Sequence, residues 1–177
     1  MALTKVIGSG IGTVTNQFAD ANMSAGSVIQ TVTADTTTQV SITSTTFTDS
    51  GLTASITPTS SSNKIAIFIN QSVYNFRSGG GDLQAGIRLM RDSTMINQGY
   101  SDATGGLHTY FALGTTQAMY LSYWNNFMML DSPSTTSAVT YKTQGAVRNT
   151  ANSHTLNFQT NSSTTNKSTI ILQEIQS

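Results

Sequence analysis

The chain has 177 residues, 8 basic and 8 acidic side chains, zero formal net charge and no cysteine. That is the length of one domain with its own core, and it excludes a disulfide framework, a thiolate metal site and the basic field that attracts nucleic acid or anionic lipid. Charged residues are only 9% of the chain, against about 25% in ordinary soluble domains, and about three residues in ten are Ser or Thr, so a free copy keeps little repulsion from its neighbours and the composition suits a part that works assembled.

Residues 1–25 contain no apolar run of signal-peptide type. Glycines at 8, 10 and 12 interrupt the segment, and the apolar residues Val6, Ile7, Ile11, Val14 and Phe18 have no independent core to enter. The expectation is an extended N-terminal arm over 1–25 that makes attachment or oligomer contacts, followed by one domain over 26–177. From Ser27, Val28, Gln30 and Val32 oppose Ile29, Thr31 and Thr33, and a Thr-rich run carries Val40 and Ile42; these predict two early strands.

Residues 49–70 read DSGLTASITPTSSSNKIAIFIN. Asp49, Ser50 and Gly51 predict a turn, after which Leu52, Ala54 and Ile56 alternate with Thr53, Ser55 and Thr57 at the period of a half-buried strand. Pro58, which lacks a ladder donor, ends that strand, and the cluster from Ser60 to Asn63 turns a corner. Lys64 opens the next strand, with Ile65, Ile67 and Ile69 on one face and Ala66 and Phe68 on the other, a pattern expected of a central strand covered on both sides. Ser61 and Lys64 also fit S-x-x-K, but that catalytic pattern belongs at a helix start, which a Ser-rich corner is not.

Residues 73–83, VYNFRSGGGDL, predict a mobile loop at a tip because of their three successive glycines. Leu83, Ala85, Ile87 and Leu89 alternate with Gln84, Gly86, Arg88 and Met90, predicting a strand with one wet side. Asp92 and Ser93 turn it into a hairpin partner over 94–100. Residues 107–113 and 117–130 are rich in aromatics and Met and predict strands or a hairpin; Ser122, Asn125 and Asn126 interrupt the longest apolar run well short of the roughly 20 residues of a membrane span. Residues 138–147 and 167–176 complete an all-β chain of roughly nine to eleven strands. The fold class expected is an antiparallel β-sandwich, jelly-roll-like, with the arm before it.

The titratable inventory is thin: His108, His154, seven Asp and the single Glu174, with no pair at metal-ligand or catalytic spacing. No enzyme, metal or cofactor is expected. The histidines read as hydrogen-bonding surface residues, and Glu174 as exposed on a half-wet strand in preference to a subunit contact. Tyr123, Trp124, Asn125 and Asn126 are the candidate recognition residues, since sugar rings stack on aromatic faces while amides bond their hydroxyls. The competing reading, that the lone Trp packs in the core, carries more weight at this stage.

The order AGSVIQTV, TDSGLTASITPTSSSNKIAIFIN, GIRLMRDSTMI, LDSPSTTSAVTYKTQ and a terminal TIILQEI resembles bacteriophage virion proteins described as tail-fibre or other structural proteins. The resemblance covers the chain from Ala25 onward. It implies a location in the virion, a homo-oligomer with the trimer favoured, and other tail or capsid proteins and a host surface glycan or receptor as partners; the zero net charge and the interrupted apolar runs lead to no expectation of nucleic acid binding or membrane insertion. A tail fibre or tail-associated adhesin is the function expected, with a capsid decoration protein as alternative and a polysaccharide-degrading enzyme behind both.

Overall fold

A computed structural model describes residues 23–98, 107–111, 116–159 and 166–177. The expected arm and its residues Val6, Ile7, Ile11, Val14 and Phe18 lie outside them. The described chain forms eleven strands: β1 (Val28–Thr36), β2 (Val40–Ile42), β3 (Thr48–Ile56), β4 (Lys64–Arg77), β5 (Leu83–Arg91), β6 (Thr94–Gln98), β7 (Leu107–Phe111), β8 (Met119–Asp131), β9 (Val139–Val147), β10 (Thr155–Phe158) and β11 (Ser168–Ile175). The one helical element among the described residues is a 3-10 turn, Ala151–Ser153.

Two antiparallel sheets pack face to face as a β-sandwich. Sheet A runs β1-β11-β4-β10-β2, with β8 also paired to β4. Because β8 takes one whole flank of β4, from Ile65 opposite Asp131 to Arg77 opposite Met119, β11 and β10 share the other flank in succession. Sheet B runs β3-β9-β5-β6, with β7 beside β6 on the same flank of β5. Strands that follow one another in sequence, β3 then β4 then β5, alternate between the sheets, which is the jelly-roll manner of closing a sandwich.

The period-two pattern places the core. Leu52, Ala54 and Ile56 of β3 face Ile65, Ile67 and Ile69 of β4 in one apolar cluster with Leu89, Tyr141, Ile170 and Leu172. Ile42, Val73, Ala85, Ile87, Val147, Leu156 and Phe158 form a second. A polar layer lies at their boundary: Gln71 Nε2 donates to Ser50 Oγ at 2.9 Å, and Ser50 Oγ and Thr143 Oγ1 lie 2.5 Å apart, all three residues being buried. Gly145 fits where no Cβ is tolerated, since one there would meet Leu156 and Phe158 at 2.7 Å.

Several expectations change. Asp49, Ser50 and Gly51 do not turn the chain; Gly51, at φ +84°, sits in a bulge of β3 where the register slips against β9. Residues 73–77 are strand, not loop, because β8 pairs with all of them on one side and β10 with 73–76 on the other. The glycine loop is only 78–82, and it is tied down: Arg77 Nη1 donates to the Asp82 carbonyl at 2.6 Å, and Asn152 Nδ2 to the Gly80 carbonyl at 2.7 Å. β5 is buried on nearly its whole length instead of wet on one side, with Phe47 laid against the Arg88 guanidinium 4.2 Å from the ring centroid. β7 and β8 are not a hairpin, since they pair in different sheets. β10, flanked by polar residues and only four residues long, carries no sequence expectation at all.

β4 is central, as its apolar run predicts, but it is covered along its whole length on one side only. Ile65, Ile67 and Ile69 are buried, whereas Phe68 on the other face is 37% exposed. Ser72 on the same face is buried, so the face is open in part and not along its whole length.

Candidate functional site: the open face of the β4 and β8 pair

The open face is set by register. On β8 the odd residues 121–129 turn towards the sandwich interior and the even residues 120–130 turn outward. Cross-strand pairing then gives rows of outward side chains: Tyr120 beside Phe76, Ser122 beside Tyr74, Trp124 beside Ser72, Asn126 beside Asn70, Met128 beside Phe68 and Leu130 beside Ala66. Tyr120 is 65% exposed, Trp124 47%, Met128 75% and Leu130 54%. Among the described residues no strand pairs with the far edge of β8.

The four predicted recognition residues therefore part company. Trp124 and Asn126 face outward, contrary to the greater weight given to a core Trp. Tyr123 and Asn125 turn inward, where the Tyr123 hydroxyl lies 2.6 Å from Thr109 Oγ1 of β7 and burial raises its pKa. A run of four consecutive strand residues cannot share a face, so no ligand meets all four from one side.

Three aromatics missed from the sequence complete the face: Phe68, Tyr74 and Phe76. Tyr74 and Phe76 stack with rings 3° apart in plane and centroids 6.4 Å apart, and Tyr120 tilts over Phe76 at 5.0 Å. Burial, then the neighbouring Tyr120, raises the Tyr74 pKa. The signal was present, since extending the alternation of β4 past Asn70 brings Tyr74 and Phe76 onto the face of Phe68. The glycines that follow drew those residues into a loop instead.

Between the aromatic end and the Met128 end lies a recess of about 180 Å³, lined by Ser72, Val73, Ser122, Tyr123, Trp124 and Asn166. It is smaller than the roughly 300–1,000 Å³ of a small-molecule cleft. No charged side chain stands on the face between Ala66 and Phe76 of β4 or between Met119 and Leu130 of β8.

The titratable groups lie elsewhere and are committed to holding strands. Asp131, at the end of β8, accepts from Arg91 Nη1 at 2.9 Å and from the Tyr141 hydroxyl at 2.7 Å. His154 is buried, not at the surface, with Nε2 3.0 Å from Asn75 Oδ1. Burial, and then the Arg77 charge, lower its pKa to about 4. Glu174 is also fully buried, not exposed on a wet strand face. His108 lies on β7, outside the described side chains. Among the described residues no group of three His, Cys, Asp or Glu side chains is placed to hold a metal ion, and no helix is long and apolar enough to cross a membrane. Comparison with protein-family models and with curated proteins gives no match.

Proposed function

We infer that the chain is a non-catalytic structural protein of a virion, a tail fibre or tail-associated adhesin component that works as a homo-oligomer, the trimer favoured. The observation that carries the structural half of this reading is the open face of sheet A. Phe68, Tyr120, Trp124, Met128 and Leu130 stand exposed there on one face, and large apolar side chains gathered on one exposed face mark interaction surfaces. The virion setting is supported by the resemblance of the strand and corner sequences to phage structural proteins. The partners that follow are other virion proteins and a host surface glycan or receptor.

Gold-labelled antibody against the chain, applied to intact particles of the virus that encodes it, tests the setting. Label on the tail is the expected result. Label on the head makes the chain a capsid decoration protein instead, and particles that carry none of it overturn the virion reading. Incubation with host envelope polysaccharide addresses the remaining class, because release of oligosaccharide would make the chain an enzyme.

A further inference from the structure

Among the described residues, six of the nine exposed large apolar side chains, Val28, Phe68, Tyr120, Trp124, Met128 and Leu130, belong to the outer face of sheet A. We propose that this face is where copies of the chain pack against one another, with Trp124, Met128 and Phe68 as its apolar anchors. The proposal rests on the homo-oligomer reading above and adds the surface.

The face matches itself chemically. Its solvent-accessible polar groups are Asn70, Asn126, Ser122 and the Tyr74 and Tyr120 hydroxyls on β4 and β8, with Thr31, Thr33, Thr169 and Gln173 on β1 and β11, each both donor and acceptor, so a second copy supplies what the first requires. A carboxylate or ammonium would repel its own copy, and none stands in the centre. The charges are at the margins, where Lys167 Nζ and Asp35 pair at 2.9 Å and Lys64 opens β4. An uncharged core with a polar, charged rim is the anatomy of a protein interface.

The area also suits. β8 and β4 span 13 and 14 residues, and a face about 40 Å long and four strands wide, about 19 Å, covers in the region of 800 Å², each partner's share of a standard interface. A glycan accounts for less of it. Trp124, Ser72, Ser122 and Asn166 have the chemistry of a sugar platform, but Met128, Leu130 and Phe68 have no polar handle to offer a hydroxyl.

The chain has one tryptophan, Trp124, so its fluorescence reports on this face alone. The full-length protein should sediment as an oligomer at about 10 µM, with Trp124 emission moving to longer wavelength as dilution dissociates it. Met128→Lys, at an exposed position, should keep the β-sheet circular dichroism and weaken association at least about tenfold, while Thr94→Lys on sheet B leaves it unchanged. Three results overturn the proposal: association of Met128→Lys within twofold of the native chain; an oligomer whose Trp124 emission does not change on dissociation; or an oligomer lost only when residues 1–22 are deleted. In all three the homo-oligomer reading survives. A native chain that is monomeric at 10 µM overturns both, and if host polysaccharide then shifts Trp124 emission, a glycan is the occupant.

Discussion

Asn63 Nδ2 donates to Glu174 Oε1 at 2.7 Å, joining residues 111 positions apart in the chain. The same oxygen accepts from the Thr59 amide at 2.7 Å and the Thr59 hydroxyl at 2.9 Å, and Gln30 Nε2 reaches Oε2 at 2.5 Å. One buried carboxylate thus ties the corner between β3 and β4, and the first strand, to the last strand. All four donors are neutral groups.

Burial raises the pKa of Glu174, but the hydrogen bonds from Gln30, Asn63 and Thr59 outweigh it and leave it below the ordinary 4.5. A depressed folded-state pKa means that the stabilisation is present above the ordinary value and is lost as pH falls through the lower one. Glu174→Gln, which sets an amide donor among donors, should cost about 1–3 kcal/mol at pH 7. Urea unfolding at pH 7 and pH 3 checks this, with the gap between native and variant proteins narrowing in acid.

His154 has the opposite charge logic and the same direction of effect. Its folded pKa near 4 lies below the ordinary 6.5, so the unfolded chain takes up a proton first as pH falls. Stability from this group is intact above pH 6.5 and declines between 6.5 and about 4, by up to roughly 3 kcal/mol. His154→Gln should remove that slope. Urea midpoints at pH 7 and pH 4.5 measure it, and a native protein equally stable at both, after subtraction of the variant's change, contradicts the assignment.

Gly145→Ala should destabilise through overpacking. The new methyl would sit 2.7 Å from Leu156 Cδ2 and from Phe158 Cε2, and forcing apart a packed core of this kind costs about 1–3 kcal/mol. Thermal unfolding followed by circular dichroism reports the loss, and paired replacement of Phe158 by Leu should recover part of it.

Tyr141 is buried, and its phenol pKa is pushed well up by burial, with further increases from the hydrogen bond to Asp131 and the Asp131 charge. It therefore remains a donor to Asp131 at any ordinary pH. Tyr141→Phe removes a bond to a charged acceptor at the end of β8 and should cost about 1.5–3 kcal/mol. Hydrogen exchange should show the loss first in the last residues of β8, and uniform loss across the sheet would contradict that localisation.

Much of the fold was legible because a strand side chain has only two directions to point. Leu52, Ala54 and Ile56 alternate with Thr53, Ser55 and Thr57, and all six lie on the faces that the alternation assigns. Pro58 and the serines after it mark a corner, and Lys64 opens β4. Glycines misled where local chemistry was overridden by pairing, as at residues 73–77, which β8 and β10 hold extended despite the loop that follows.

The alternation assigns side chains to faces, and with that the sequence had determined the all-β class, most strand positions and the separation of Trp124 from Tyr123 in direction. It cannot say which face meets another sheet and which meets water. That depends on partners far away in the chain: on β8 taking one whole flank of β4 over thirteen cross-strand pairs, and on sheet B lying over only the isoleucine side. Glu174 shows the same division, since its polarity was plain but its burial came from Asn63, Thr59 and Gln30 converging on it in three dimensions. Burial is a property of what packs above a residue, and period two carries no information about that.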